Sequence, residues 1–211
     1  MKRKRILIVG ITVWLIVFGV WLAISLSGEV IQVSKHHNPD IAMEKVQAEV
    51  SIAAPIDKVW SIIGQDFDQN SKFNVDAKAS YYLKEVHGMV GSQRRTVNYK
   101  DKVIDVEIVS YDPSKSYVKW EIFNMNVAPL KAGHSSYTLH DDGNGGTVLV
   151  QRAAFKMKVF FMDWIARGKF TTLFKTELAA IKHLAETGEN ITIETKEEIV
   201  KTYADAIRLI K

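Results

Sequence analysis

The chain has 211 residues, 47% of them hydrophobic, which suits one domain with a sizeable core and some additional segments. It contains no cysteine, which excludes disulfides, thiolate metal sites and cysteine nucleophiles. Lys2–Arg5 supply four of the 28 basic residues, and the other 24 balance 24 acidic residues, so the net charge of +4 comes from the N-terminal end alone. The rest of the chain is neutral and lacks the excess of basic residues expected of a nucleic-acid-binding protein.

The first predicted element is the apolar segment Ile6–Leu26, which has 21 residues and no charge. As a helix it would reach roughly 31 Å, close to the hydrocarbon thickness of a bilayer. We therefore predict that residues 1–28 form a single-pass transmembrane anchor. A signal peptide cleaved within Ser25–Gly28 is the alternative. The preceding basic cluster predicts a cytoplasmic N terminus and an exported domain, on the periplasmic or extracellular side.

A polar linker is predicted at residues 29–44. His36 and His37 lie within it and are adjacent, with no further ligands nearby, so we interpret the segment as a solvated tether and predict no metal site.

The folded domain is predicted to begin with a half-buried strand over Val46–Ile52, where apolar and polar residues alternate. Pro55 suits the first turn of a helix, and the apolar residues of Ile56–Ile63 have helical spacing. A second short helix is expected around Asp66–Phe73.

Six further strands follow in series, which gives about seven strands in all. The short turns between them predict antiparallel pairing. The predicted strands are Ala79–Val86, Ser92–Tyr99, Lys102–Tyr111, Tyr117–Phe123, Gly133–His140 and Thr147–Lys156.

A long helix follows the strands, with apolar residues at helical spacing from Phe170 to Ala185 and Gly188 as its C-terminal cap. Residues 159–167 are also predicted to be helical, with Gly168 as a point where the two pieces would kink or separate. The capping-box pattern of Thr195–Glu198 predicts an amphipathic helix over residues 189–211. A curved sheet with one apolar face needs a cover, so the fold class is α+β with the long helix over the sheet.

Three stretches carry a family resemblance: "VSIAAPIDKVWSIIGQDFDQNSKF", "GMVGSQRRTV" and "TELAAIKHLAE". They and the order of elements resemble the SRPBCC superfamily, which includes START lipid-binding domains, polyketide cyclase/dehydrase-like proteins and the birch-pollen-allergen type. The resemblance covers about residues 45–186 of a domain that we predict at residues 45–188, and it implies the helix-grip fold, a curved antiparallel sheet that grips a long C-terminal helix. Phe73 departs from it, because many members have Trp there.

The resemblance implies a cavity between the sheet and the long helix, with a hydrophobic small molecule or lipid as its ligand. Trp120 and Tyr137 are favoured as wall residues because they share strand faces with other apolar side chains. An arginine facing inward could bind a carboxylate or phosphate, but the sequence does not fix which face the strand arginines occupy. The predicted ligand-binding residues are Tyr82, Arg95, Trp120, His134, Tyr137, Arg152, Trp164 and Phe174.

Three functions remain open at this stage. The first is a membrane-anchored binding domain, and the second is a cyclase, dehydrase or hydrolase that uses His134, Arg95 or Arg152. The third is an interaction module that docks a protein partner, itself unknown, through Ile199–Ile210. No phosphate loop, Ser-His-Asp arrangement or zinc spacing is visible, so no catalytic residue, metal or cofactor is assigned and a binding protein is favoured over an enzyme.

Overall fold

The computed structural model of the chain describes residues 42–159 and 161–210, together with the isolated positions 15, 16, 18, 19 and 23. Within that part of the chain, no helix combines the length and apolar character needed to cross a bilayer. The segment predicted as an anchor, residues 1–28, lies outside the described residues apart from those five positions, so the anchor stays a prediction.

Within the described residues, one antiparallel sheet of eight strands forms the framework, in the spatial order β2-β3-β4-β5-β6-β7-β1-β8. Strands β2 to β7 form a meander, and β1 pairs with β7 along its whole length, with Val50 opposite Leu149. The strands are β1 (Glu44–Ile52), β2 (Ala77–Lys84), β3 (Gln93–Asn98), β4 (Val103–Asp112), β5 (Tyr117–Met125), β6 (Leu130–Asp141), β7 (Thr147–Met157) and β8 (Ile207–Ile210).

Turn residues set the registers of the meander. Between β3 and β4, the Asn98 side-chain oxygen accepts hydrogen bonds from the backbone N–H groups of Lys100 and Lys102, both at 2.9 Å, and Asp101 has a φ of 55°. Asparagine and aspartate tolerate such turns because their short polar side chains bond to the local backbone. The antiparallel pairing predicted for these two neighbouring strands is confirmed.

A short helical segment connects β1 to β2. Helix α1 (Ile56–Trp60) starts after Pro55, and a π-helical turn (Ser61–Gln65) and a 3₁₀ segment (Phe67–Lys72) follow it. A Cβ at Gly64 would lie 2.5 Å from the Trp60 ring, so only glycine lets that indole pack against the backbone here. Both predicted short helices are present.

The long helix α2 (Met162–Thr187) is one continuous element, so the predicted division at Gly168 is wrong. Asp163 sets its first turn, because the carboxylate accepts a 2.8 Å hydrogen bond from the Met157 N–H and pairs with Lys156. At its other end Gly188 adopts a φ of 82° and donates its N–H to the Leu184 carbonyl at 2.9 Å. Gly188 is therefore the cap that the sequence predicted.

The C-terminal segment differs from its prediction. Helix α3 covers only Lys196–Thr202, and the chain then enters β8, which pairs antiparallel with β1 and places Ile207 opposite Val50. An uncovered β1 would leave a row of backbone N–H and C=O groups at the sheet edge, and β8 covers this edge along Gln47–Val50. The β-branched residues of this segment suit a strand as well as a helix, which is why helical spacing alone misled the prediction.

Because β8 makes Ile207 part of the core, truncating this side chain should destabilise the domain. Ile207 is 7% exposed, whereas Leu209 on the same strand is 41% exposed. We expect Ile207→Ala to lower the free energy of unfolding by about 2–3 kcal/mol in urea denaturation and Leu209→Ala to lower it by less than about 1 kcal/mol. Equal losses for the two variants would contradict the placement of Ile207, and not Leu209, in the core.

Candidate functional site

A cavity of about 150 Å³ lies between the concave face of the sheet and helix α2. Its walls are mainly apolar, because alternate residues of β4, β5 and β7 and one face of α2 point into it. The principal apolar lining residues are Ile104, Val106, Trp120, Ile122, Met125, Ala153, Phe155, Phe170, Leu173 and Phe174.

Aromatic rings form two parts of the enclosure. The rings of Trp120 and Tyr137 lie 4.8 Å apart at an angle of 59°, on neighbouring strands. Phe155 of β7 stacks on Phe170 of α2 with centroids 4.2 Å apart. The second pair joins sheet to helix directly, and offset stacking of this kind adds to the stabilisation from burial.

A polar cluster interrupts the apolar lining at Glu177 of α2. One carboxylate oxygen accepts a 2.7 Å hydrogen bond from the Tyr137 hydroxyl, and the other accepts one of 2.7 Å from the Gln151 side-chain amide. Tyr137 and Gln151 are buried, at 2% and 1% exposed. Burial and the adjacent Glu177 carboxylate raise the pKa of Tyr137 well above its ordinary value, so its proton stays available for this bond.

Arg94 of β3 supplies a buried positive charge beside this cluster. Its Nη1 donates to the Phe67 carbonyl at 2.7 Å, and its guanidinium lies 4.3 Å from the centre of the Phe67 ring. Desolvation lowers the pKa of Arg94 to about 10, which leaves it charged at neutral pH. Within residues 42–159 and 161–210 it forms no ion pair.

Two buried polar atoms on this wall have no hydrogen-bond partner among the described residues. They are Nε of Arg94, a donor, and Oε1 of Gln151, an acceptor. Buried polar atoms are nearly always satisfied in folded proteins, so both require an explanation.

Four of the eight predicted site residues contribute to the enclosure. Trp120 and Phe174 line the cavity, and Tyr137 lines a small adjoining space together with Arg94. His134 also borders the cavity. In the β5–β6 register it lies opposite Glu121, and the next residue, Ser135, lies opposite the inward-facing Trp120. Alternation therefore places the His134 side chain on the outer face of the sheet. Ligand binding by these residues stays a prediction.

The other four lie outside the cavity. Tyr82 packs near Phe67, with ring centroids 6.3 Å apart. Arg95 forms two 2.7 Å hydrogen bonds with Asp105 on the outer face, because it is one residue out of phase with the inward-facing Arg94. Arg152 on β7 is exposed, and its side chain also points to the outer face of the sheet.

Trp164 is 82% exposed, because the anchored Asp163 next to it directs the inner face of α2 towards the sheet. The enzyme hypothesis relied on His134, Arg95 and Arg152, and the strand registers direct all three side chains away from the cavity.

Sequence reasoning missed Arg94, Gln151 and Glu177. For two of them the sequence pattern indicated an inward-facing position. Glu177 lies on the apolar stripe of α2 that contains Phe170 and Phe174, and Gln151 lies on the same face of β7 as Leu149 and Ala153. A polar residue on a core-facing position indicates either a structural hydrogen bond or a site. No such pattern pointed to Arg94, because the adjacent Arg95 is also an arginine and the sequence does not show which of the two faces inward.

The Tyr137 environment predicts a specific alkaline destabilisation. A tyrosine whose pKa is raised on folding stabilises the native state below pH 10 and loses that contribution as the pH rises through its folded pKa. Between pH 10 and 11 the free energy of unfolding should fall by about 1 kcal/mol less in Tyr137→Phe than in the wild type. Tyr99→Phe is the control, since Tyr99 is 58% exposed, and it should keep the wild-type slope. An unchanged slope in Tyr137→Phe would contradict the buried hydrogen bond.

Solved structures with the same fold support this architecture. An uncharacterised protein from Bacillus thuringiensis is 18% identical, with a TM-score of 0.57 over 66% of this chain and 97% of its own. Norcoclaurine synthase from Thalictrum flavum, solved with dopamine and hydroxybenzaldehyde, is 12% identical, with a TM-score of 0.55 over 68% of this chain and 86% of its own. At these identities the likeness establishes the fold alone.

The sequence itself identifies the family. No curated protein matches the chain significantly. The family model for polyketide cyclase/dehydrase and lipid transport proteins matches residues 43–186, which span β1 to the end of α2 and include every residue of the polar cluster. With the helix-grip sheet and the cavity beneath α2 in place, the chain belongs to the polyketide cyclase/dehydrase and lipid transport family within the SRPBCC superfamily.

Proposed function

We propose that this protein binds a hydrophobic small molecule or lipid in the cavity under α2 and that its N-terminal segment holds the domain at a membrane. The observation that carries the binding function is the partly open, mainly apolar space of about 150 Å³ between the sheet and α2. Protein cores are close-packed, with few voids larger than a water molecule, so a space of this size is not expected in a purely structural core.

The size of the space limits the ligand. An apolar cavity of about 150 Å³ is known in another protein to accept benzene. A ring or a short acyl segment therefore fits without rearrangement, whereas a whole lipid would have to leave part of itself outside. Norcoclaurine synthase is described in complex with two single-ring compounds, which supports a ligand of this size in the same fold.

Filling the cavity tests the binding function. Ala153 lies on the inward face of β7 and is 8% exposed, while the adjacent Arg152 points outward. We expect wild-type protein to yield an apolar compound on solvent extraction and to bind a hydrophobic dye. Ala153→Phe should lose both properties, because the new ring occupies the space.

Arg152→Phe is the matched control, since it places the same ring on the outer face of the same strand and should bind like the wild type. If wild-type protein yields no apolar compound and binds no dye, or if Ala153→Phe binds as well as wild type, the cavity is not a binding site.

Two features support the membrane location. The described domain begins at Ala42, and Glu44 in β1 lies 3.9 Å from Arg167 of α2, so the N-terminal segment joins the domain beside the first turns of that helix. These turns and the residue before them expose Phe161 (42%), Trp164 (82%) and Ile165 (46%). Aromatic and aliphatic side chains next to basic ones are typical of surfaces that lie against a bilayer.

The absence of cysteine makes the topology directly measurable. We expect Asn144→Cys, in the exposed β6–β7 turn, to react in intact bacterial cells with a maleimide that cannot cross the cytoplasmic membrane. Lys2→Cys should react only after lysis, because the positive cluster is predicted to stay inside. Labelling of Lys2→Cys but not Asn144→Cys in intact cells, or recovery of the full chain without membranes, would contradict the proposed location.

Of the two alternatives, only catalysis gains support from a specific observation. The hydrogen-bonded Tyr137 and Glu177 are a donor and a carboxylate inside an apolar space, the kind of pair that acid–base catalysis requires. An enzyme would convert its bound compound during incubation, whereas a carrier would release it unchanged. The interaction module required an exposed apolar stripe on the C-terminal segment, but Ile199 and Ile207 are buried against the domain.

A further inference from the structure

We propose that the ligand of this cavity is a small organic monoanion, an apolar body with a single carboxylate or equivalent acidic oxygen, bound by the guanidinium of Arg94. This inference rests on the proposed binding function and specifies the chemical class of the ligand. Its basis is a buried arginine that lines the cavity and lacks a charged partner among the described residues.

Among the residues that the structure describes, no anion bonds directly to Arg94, although the Glu177 carboxylate lies close enough to act on its charge electrostatically. The residue is 7% exposed, and a guanidinium removed from water loses favourable solvation that a nearby anion would restore. The Phe67 carbonyl accepts one of its five N–H groups at 2.7 Å, and Nε has no partner. Arginine presents its donors in a planar fork that matches a carboxylate, so an anionic oxygen is the group that suits this site best.

Glu177 does not neutralise Arg94 directly. Both of its oxygens accept hydrogen bonds, from Tyr137 and Gln151, and it forms no ion pair with Arg94 within the described part of the chain. Its negative charge lines the same cavity, so a second acidic group on the ligand would be repelled. The wall therefore favours one negative charge on the ligand over two.

A purely structural role for Arg94 accounts for only part of the geometry. The bond to the Phe67 carbonyl and the contact with the Phe67 ring hold the 3₁₀ segment against β3. That role leaves Nε of Arg94 and Oε1 of Gln151 without partners. Both atoms are covered in this conformation, so a ligand that offers an acidic oxygen to the first and a hydroxyl proton to the second would satisfy them once small side-chain movements expose them to the cavity.

A charge series in matched probes tests the proposal. Phenylacetate, phenylacetamide and phenethylamine have the same ring and similar size but carry a negative, a zero and a positive charge. With the full chain in nanodiscs of zwitterionic lipid, we expect phenylacetate to bind about tenfold or more tighter than the amide, as follows from a charged hydrogen bond. The amine should show no binding.

Variants identify the residue responsible. Arg94→Met should lose that tenfold preference while keeping its affinity for the amide, and Arg94→Lys should retain part of it. Arg152→Met, on the outer face, should bind like the wild type. If Arg94→Met does not fold, the charge series on wild-type protein and the Arg94→Lys variant still decide the question.

Equal binding of acid and amide to the wild type, or an undiminished acid preference in Arg94→Met, would overturn the anion proposal and leave the binding function intact. Failure of all three probes together with the hydrophobic dye would overturn both.

Discussion

The hydrogen bonds of Glu177 are the contact on which the interior of this protein depends. They connect the middle of α2 to two strands, β6 through Tyr137 and β7 through Gln151, each at 2.7 Å. A charged group in an apolar interior is tolerated only when its oxygens are satisfied, so the two strand residues and the helix must keep this spacing. The helix is thus fixed over the sheet at a point where side chains do not fill the space between them.

Polar contacts and stacked rings together keep the cavity open. Asp163 fixes the first turn of α2 through Met157 and Lys156, and Phe170 rests on Phe155 one to two turns further along. Beyond Glu177 the inner face of the helix is buried without interruption, through Leu178, Ile181 and Leu184. The closely packed end holds the helix in place, and the hollow remains at the N-terminal half, where the exposed Trp164 and the start of the described domain also lie.

The sequence predicted the architecture because its signals there are redundant. Alternation, turn residues and the Ala-Pro start of α1 all indicate the same order of elements, and the helix-grip fold and the family assignment are confirmed. The strand at the C terminus was missed because Ile199–Ile210 satisfies helical spacing, while the unpaired edge of β1 that recruits β8 is visible only in three dimensions. Whether residues 1–28 form an anchor remains a prediction.

The site was harder to predict because side chains in a strand change face at every residue. Arg94 and Arg95 are adjacent and chemically identical, yet one lies in the cavity wall and the other pairs with Asp105 outside. The register shifts between β2 and β3 and between β4 and β5 mean that the inward-facing positions of one strand do not predict those of the next. Trp120, Tyr137 and Phe174 were found because apolar neighbours fixed their phase. Arg95 and Arg152 also share their strand faces with apolar residues, Val97 and Val150, although those faces point away from the cavity, so this signal was misleading there.

The most direct test of the central claim is a crystal structure of the protein purified with its natural ligand in place. We expect continuous density for a small apolar molecule between Trp120 and Phe174, with an oxygen atom within hydrogen-bond distance of the Arg94 guanidinium. An interior in which the surrounding side chains have closed over the space, with Arg94 turned to solvent, would contradict the central claim.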